Sequence, residues 1–310
     1  MGALNSVLII GGNGFIGSSL VQRLHAEGCK LRVLDPGTPR SDISWDGVDY
    51  YCCSLANEQM LAHVMEGVDI VFHLASTTVP GTSNLDPKAD VMENLISALN
   101  VLSAMRAAQV RRIVFLSSGG TVYGNPAFVP VPEGAPLDPI SSYGVVKVAI
   151  EKYLGMYQRL GIIDPLIIRP SNPYGPRQSI SGSQGAIAVF LGKALRNEGV
   201  EIWGDGGIVR DYIHVDDLIE LIVQAVRKEF VGILNAGNGT GNSLNEVLEL
   251  IRKVTGSALP ATYKVGRSFD VNRIVLDMEL ARGCLGWDPK IPLDSGIHET
   301  WQHLLKKERS

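Results

Sequence analysis

The chain has 310 residues, 45% of them hydrophobic and 19% charged, with a formal net charge of -4. That length supports one large domain or two interleaved ones around a substantial core, and the composition is that of an ordinary globular protein. The slightly acidic balance offers no basic face for nucleic acid or an anionic membrane surface, so neither is expected as a partner.

From residue 6 to about 170, short apolar runs alternate with longer amphipathic stretches, the pattern of a parallel sheet covered by helices. Strands are expected at 6–10, 31–34, 49–53, 70–74, 113–116 and 165–168, which makes the fold class α/β with a doubly wound parallel sheet of the Rossmann type. After Arg169 the pattern changes: Pro170, Pro173 and Pro176 lead into the Ser- and Gly-rich 179–185, followed by an expected helix at 186–197. Regular α/β segments return at 216–227 and 232–236, and 244–305 holds more helices and turns. The expected division is a nucleotide-binding domain of 1–170 plus about 212–238, and a smaller discontinuous α/β substrate domain of about 171–211 plus 239–310.

No run of about 18 apolar residues is present to span a bilayer, and no charged-then-apolar signal segment precedes the first strand, so membrane insertion is not expected. Met1-Gly2 with Ser6 formally matches a myristoylation pattern, but the apolar run 7–10 reads as a buried strand and the match as chance. Cys29, Cys52, Cys53 and Cys284 have neither metal-ligand nor disulfide spacing, which predicts free thiols in a reducing cytoplasm and no metal.

Gly11-Gly12-Asn13-Gly14-Phe15-Ile16-Gly17 directly follows the first strand and opens a helix. Glycines at 11, 14 and 17 let the backbone turn tightly, approach a pyrophosphate and pack the helix on the sheet, while the helix amino end attracts the anion. Asp35 ends the second strand, about 20 residues further on, where a carboxylate accepts from ribose hydroxyls and repels a 2′-phosphate; NAD is therefore the expected cofactor rather than NADP. Asp-Pro-Gly at 35–37 is also turn chemistry, and Arg32 on the same strand is expected to face away by alternation.

Tyr143 precedes Lys147 by four residues on an expected helix, which puts phenol and amine on one face, where the ammonium can lower the phenol pKa and make it a usable base. An upstream Ser- and Gly-rich segment, Ser117-Ser118-Gly119-Gly120-Thr121-Val122-Tyr123-Gly124, suits the same proton-and-hydride chemistry.

The glycine spacing, His73-Leu74-Ala75, Tyr143-x-x-x-Lys147, Arg169-Pro170-Ser171-Asn172-Pro173-Tyr174-Gly175-Pro176-Arg177 and Arg210-Asp211-Tyr212-Ile213-His214-Val215-Asp216-Asp217 together resemble the extended short-chain dehydrogenase/reductases acting on nucleotide sugars, over residues 6 to about 290. The resemblance implies Tyr143 as the base, Lys147 as the ribose-holding cation, and Ser118, with Thr121 as rival, hydrogen-bonding the reacting oxygen. It implies cofactor contacts from Gly11, Gly14, Phe15, Ile16, Gly17, Asp35, Ser54, Leu55, Leu74, Ala75 and Asn94, where Ser54-Leu55 departs from the usual Asp and apolar pair near the adenine. It implies a grip on the diphosphate sugar by Arg210 and Arg267, with Asn172 reaching sugar or phosphate; helix capping by Asn94 and turn formation by Asn172 are the alternatives.

Family members share oxidation at the sugar's fourth carbon and then diverge. Gly119-Gly120 follows Ser118 and Val122 follows Thr121, so that segment carries no carboxylate to eliminate water, which disfavours dehydration. The wording resembles UDP-hexose 4-epimerases (UDP-glucose or UDP-N-acetylglucosamine), which implies NAD-dependent C4-epimerisation of a UDP-sugar through a 4-keto intermediate, in a homodimer supplying surface polysaccharide synthesis. Counting from Arg267-Ser268-Phe269-Asp270 puts Ile274 at the wall facing the second carbon; Ile is shorter than a Tyr ring, so an N-acetylated hexose is favoured over the plain one. A dehydratase or decarboxylase of nucleotide sugars, or a non-catalytic NAD-binding regulator on the same fold, are the other readings.

Overall fold

The computed structural model describes residues 5–181, 185–266 and 271–309. In chain order the elements are β1 (Ser6–Ile10), α1 (Phe15–Ala26), β2 (Lys30–Asp35), β3 (Val48–Cys52), α2 (Glu58–Met65), β4 (Ile70–His73), the single turns α3 (Pro80–Ser83) and α4 (Pro87–Asp90), a π-helix (Val91–Ile96), α5 (Ser97–Ala107), β5 (Arg112–Leu116), α6 (Ser142–Arg159) and β6 (Asp164–Pro170). There follow β7 (Asn172–Tyr174), α7 (Ala186–Leu195), β8 (Val200–Trp203), β9 (Val209–His214), α8 (Val215–Arg227), β10 (Gly232–Ala236), β11 (Gly241–Ser243), α9 (Leu244–Thr255), β12 (Ala261–Lys264), β13 (Arg273–Ile274), α10 (Glu279–Leu285) and α11 (Leu293–Arg309).

Seven strands form one sheet in the order β10-β6-β5-β4-β1-β2-β3. β1 pairs in parallel with β2 on one side and β4 on the other, so the order reverses between β1 and β4, where such sheets bind ligands beyond the carboxyl ends of the strands. Helices cover both faces, which is why β1, β4 and β5 are buried almost throughout and read as unbroken apolar runs; β3 is more open because it is the edge. Leu8, Ile10, Val71, Phe115 and Ile167 of the strands meet Leu61, Val101, Met105, Ile150 and Leu154 of the helices in one core. Among the described residues no helix is long and apolar enough to cross a membrane, and the four cysteines are free thiols.

The chain divides into two compact units: 1–118 with 141–169 and 222–234, and 119–140 with 170–221 and 235–310. This differs from the sequence expectation at 119–140, 170, 212–221 and 235–238. Residues 119–140 leave the sheet after β5 and pair elsewhere: Val131 bridges Leu276, and Tyr123 donates to Asn235 Oδ1 at 2.7 Å. In the second unit β9 is the hub, pairing with β7, β11 and β13, and β8 pairs with β12. Its core gathers Tyr174, Phe190, Leu191, Tyr212, Leu248, Ile251 and Ile297.

Asp211 on β9 is fully buried and staples this unit, accepting the backbone N–H of Asn238 (2.7 Å), Gly239 (3.2 Å) and Leu276 (3.2 Å). Burial outweighs these bonds and raises its pKa from 3.8 to about 6. The native carboxyl therefore holds its proton more tightly than the unfolded one, and the stability it contributes is full below about pH 4 and lost as pH rises through about 6. Chemical denaturation at both ends of that window should show an Asp211-dependent loss of about 2–3 kcal/mol on raising the pH. In Asp211→Asn, whatever its overall stability, that portion of the slope should vanish; an unchanged slope would refute it.

Candidate active site

Helix α6 begins at Ser142 because Ser141 caps it, accepting the Gly144 N–H. Tyr143 and Lys147 are one turn apart, with Lys147 Nζ 5.5 Å from the centre of the Tyr143 ring and 4.8 Å from that of Phe115. The ammonium is buried and donates to the Leu116 carbonyl at the end of β5 at 2.9 Å. Burial lowers its pKa from 10.5 to about 8, against the opposing pull of Glu151 and then Asp90. Its charge is felt by His73, whose pKa drops to about 3 through burial and then through Lys147, so this imidazole is neutral.

Tyr143 departs from the expectation of a lowered phenol pKa: burial raises it to about 12, a hydrogen bond with Ser118 lowers it, and Asp90 raises it again. In the chain alone Tyr143 is thus a neutral phenol with a neighbouring carboxylate working against its ionisation. Of the two candidate hydroxyls, Ser118 is the one bonded to Tyr143, while Thr121 Oγ1 is buried without a hydrogen-bond partner.

Two buried groups that the sequence reading passed over stand behind this pair. Ser117 donates to Glu151 Oε1 at 2.5 Å, and Arg169 clamps the same carboxylate through Nε (3.0 Å) and Nη2 (2.6 Å). Glu151 follows Lys147 by four residues on α6, a spacing that could have marked it as a same-face partner. On the other side Asn94 sits in the π-helix, accepting the Thr77 N–H and donating to Asp90 Oδ1 at 2.9 Å, in a helix irregularity of the kind that recurs at functional sites. Asp90 carries no local sequence signal.

Beyond the carboxyl end of β1, the glycine loop has little room to vary. A side chain on Gly17 would place Cβ 2.1 Å from the Gly11 carbonyl oxygen, and one on Gly11, whose φ is +82°, would meet the Ala75 backbone at 2.7 Å. Helix α1 follows Gly14 with no side-chain cap and no acidic residue in its first turn, so its amino end is open to an anion. Asp35 accepts from the Asn13 and Gly37 N–H groups (3.2 and 2.9 Å), which leaves carboxylate lone pairs for ribose hydroxyls. Arg32 points away, donating to the carbonyls of Val64 and Glu66, and Arg40 is forked onto Asp42, so neither guanidinium is turned into a 2′-phosphate site. These residues fit a dinucleotide with an unphosphorylated adenosine ribose. Phe15 and Ile16 open α1, and Leu74 and Ala75 follow β4, where the Leu74 N–H donates to Ile10. Leu55 packs on the core, and the Ser54 hydroxyl accepts from Ala56 within its own turn.

In the second unit the structure brings three expected substrate residues onto neighbouring strands. Arg210 lies on β9, in register with Ile274 of β13, and Asn172 of β7 donates to the Asp211 carbonyl at 3.0 Å. Ile274 is only 1% exposed, a core position within this unit. Arg267 lies outside the described residues.

The parallel sheet and the glycine loop of the first unit define a nucleotide-binding enzyme of the Rossmann class. Residues 7–237 match the model of the NAD dependent epimerase/dehydratase family, and the chain belongs to that family, among the extended short-chain dehydrogenase/reductases of the UDP-hexose 4-epimerase group, with NAD as cofactor. It is 34% identical to the UDP-glucose 4-epimerase of Mycolicibacterium smegmatis, over 97% of this chain and 99% of that one. The crystal structure of UDP-glucose 4-epimerase with UDP-glucose from Thermotoga maritima superposes with a TM-score of 0.93 at 33% identity, covering 98% of this chain and 99% of the other. The Thermus thermophilus UDP-glucose 4-epimerase in complex with NAD gives 0.90 at 33% identity, covering 97% and 99%.

Gly17→Ala should push α1 off the loop and abolish the thermal stabilisation produced by added NAD, with the loss read as at least a tenfold weaker cofactor affinity, about 1.4 kcal/mol or more. Wild-type affinity in this variant would show that the close approach of Gly17 to Gly11 does not shape the cofactor site.

Proposed function

We propose that the chain interconverts UDP-hexoses by NAD-dependent inversion at the fourth carbon, and the observation that carries this is the Ser118–Tyr143–Lys147 constellation in a nucleotide-binding unit. NAD, which the glycine loop and Asp35 would hold, would supply a reversible hydride acceptor for that carbon. Tyr143 takes the hydroxyl proton and later gives it back; Ser118 orients the oxygen. Lys147 contributes positive charge toward the ribose hydroxyls and the phenol, while Arg210, Arg267 and Asn172 would bind the diphosphate sugar. No outside acid or base is required, which agrees with the carboxylate-free 117–124.

UDP-glucose and UDP-galactose are the proposed pair, in keeping with the relatives that act on UDP-glucose. The N-acetylated pair is the second reading, carried by the modest length of Ile274. Incubation with UDP-glucose and with UDP-GlcNAc, each followed by analysis for the C4 epimer, decides between them, and no conversion of either by NAD-loaded protein overturns the proposal. Ile274→Tyr should depress turnover of the N-acetyl sugar more than the plain one if that residue is the gate. A cytoplasmic location and a role in supplying sugar donors for surface polysaccharide belong to this reading, the location supported by four cysteines without disulfide spacing.

Tyr143→Phe should lower kcat at least about a thousandfold while leaving UDP-sugar binding within about threefold, since only the proton-transferring oxygen is removed. Because Lys147 loses its proton around pH 8, kcat/KM of the wild type should fall on the alkaline side of that value if the ammonium form is the active one. A flat profile to pH values well above it would remove the charge of Lys147 from the mechanism.

The outer faces of two neighbouring helices support a homodimer. Val145, Tyr153, Met156 and Leu160 of α6, and Met92 and Ile96 of the π-helix, are exposed, while Val146, Ile150 and Leu154 fill the core. Six apolar side chains on one pair of adjacent helices are more than isolated surface residues, and pairing with the same helices of a second copy would bury them. Val145→Glu combined with Met156→Glu should convert a dimer to a monomer in light scattering; an unchanged mass would exclude this face.

A further inference from the structure

Asp90 is fully buried, and among the described residues the side chains that donate to it are all neutral. Thr78 Oγ1 (2.7 Å) and Asn94 Nδ2 (2.9 Å) share Oδ1, and Ser142 Oγ donates to Oδ2 at 2.6 Å. Glu151, the other buried carboxylate at this site, is instead matched by the fork of Arg169. A carboxylate held by hydroxyls and an amide keeps more of its field than one paired with a guanidinium, and in a dry interior that field reaches its neighbours weakly screened.

Its three donors come from three segments that meet at Tyr143. Thr78 is in the loop after β4, Asn94 is in the π-helix, and Ser142 immediately precedes Tyr143 on α6. Beside them, Asn84 Oδ1 and Ser83 Oγ accept the Ser142 and Tyr143 N–H groups (2.8 and 3.1 Å), so the amino end of α6 is tied to this cluster through both backbone and side chain.

We infer that Asp90 is a positioning residue for the acid–base pair: it locks the Asn94 amide and the amino end of the Tyr143 helix into one buried cluster, and it supplies a negative charge on which the proton balance of Tyr143 and Lys147 depends. The inference rests on the reading of Tyr143 and Lys147 as that pair. Both groups bind their protons more firmly because of Asp90. The other groups facing them are Glu151 on α6, which acts on Lys147 in the same sense, neutral His73 on β4, the Leu116 carbonyl on β5 and the Ser118 hydroxyl.

Asp90→Asn keeps the shape and removes the charge. In cofactor-free protein labelled with carbon-13 at the lysine ε position, the Lys147 resonance, assigned with Lys147→Arg, should titrate at lower pH by about half a unit or more. In turnover, both the acid and the alkaline limb of kcat/KM should move to lower pH together, whereas loss of a purely structural residue would lower the profile without sliding it. Ser142→Ala, which removes a tether and keeps the charge, should leave the Lys147 titration in place and reduce kcat/KM about three- to tenfold. Wild-type titration and limb positions in folded Asp90→Asn overturn the inference, and so does wild-type kcat/KM in Ser142→Ala, the variant that decides if Asp90→Asn does not fold. The titration needs no substrate: a lowered Lys147 titration without any epimerisation by the wild type would count against the proposed reaction and leave Asp90's action on Lys147 standing.

Discussion

Lys147 carries an ammonium group into the interior of the nucleotide-binding unit, where one carbonyl oxygen and the fields of two carboxylates replace water. Taking such an ion out of water costs several kcal/mol even after relaxation, and the strain shows in a pKa drawn down to about 8 rather than lost altogether. Much of the surrounding arrangement answers this one constraint. Glu151 supports the charge from the next turn of α6, and Arg169 keeps Glu151 from being a second unpaired ion. The same helix holds the end of β5 at two successive residues, Lys147 on the Leu116 carbonyl and Glu151 on the Ser117 hydroxyl, which delivers Ser118 to Tyr143.

A phenol pushed up to about 12 is a poor base, so Tyr143 can act as one only where positive charge stands beside it. Burial and Asp90 favour the proton on Tyr143, and only added positive charge in the site can tilt the balance the other way. This reading gives the neutral donors around Asp90 a purpose beyond packing, because they leave its charge free to act on the pair.

The cofactor loop adds close backbone approach to the attraction of the open α1 amino end for an anion. Gly11, Gly17 and Ala75 bring backbone against backbone where β1, α1 and β4 meet, and this is the point at which strand order reverses. Such close approaches leave a sequence trace, since only glycine fits, and for that reason the loop was legible from the chain alone. So were the strands of the large sheet, whose burial on both faces writes itself as apolar runs, and the Tyr143–Lys147 spacing, which a helix converts directly into a shared face. Less legible was the second unit: β7, β8, β11, β12 and β13 are short, and 119–140 joins that unit through long-range pairing of Val131 with Leu276, which no local pattern records.

By itself, therefore, the sequence determined the doubly wound sheet, the dinucleotide loop, the preference marked by Asp35, and the candidates for the reacting side chains, because each depends on near neighbours along the chain or on the steric demands of a single residue. Only the tertiary structure decided that Tyr143 is a neutral phenol, that Ser118 rather than Thr121 bonds to it, and that Asp90 and Glu151 both act on Lys147. Proton affinity in a dry interior is set by distances between groups from different elements, and those distances exist only once the elements have packed.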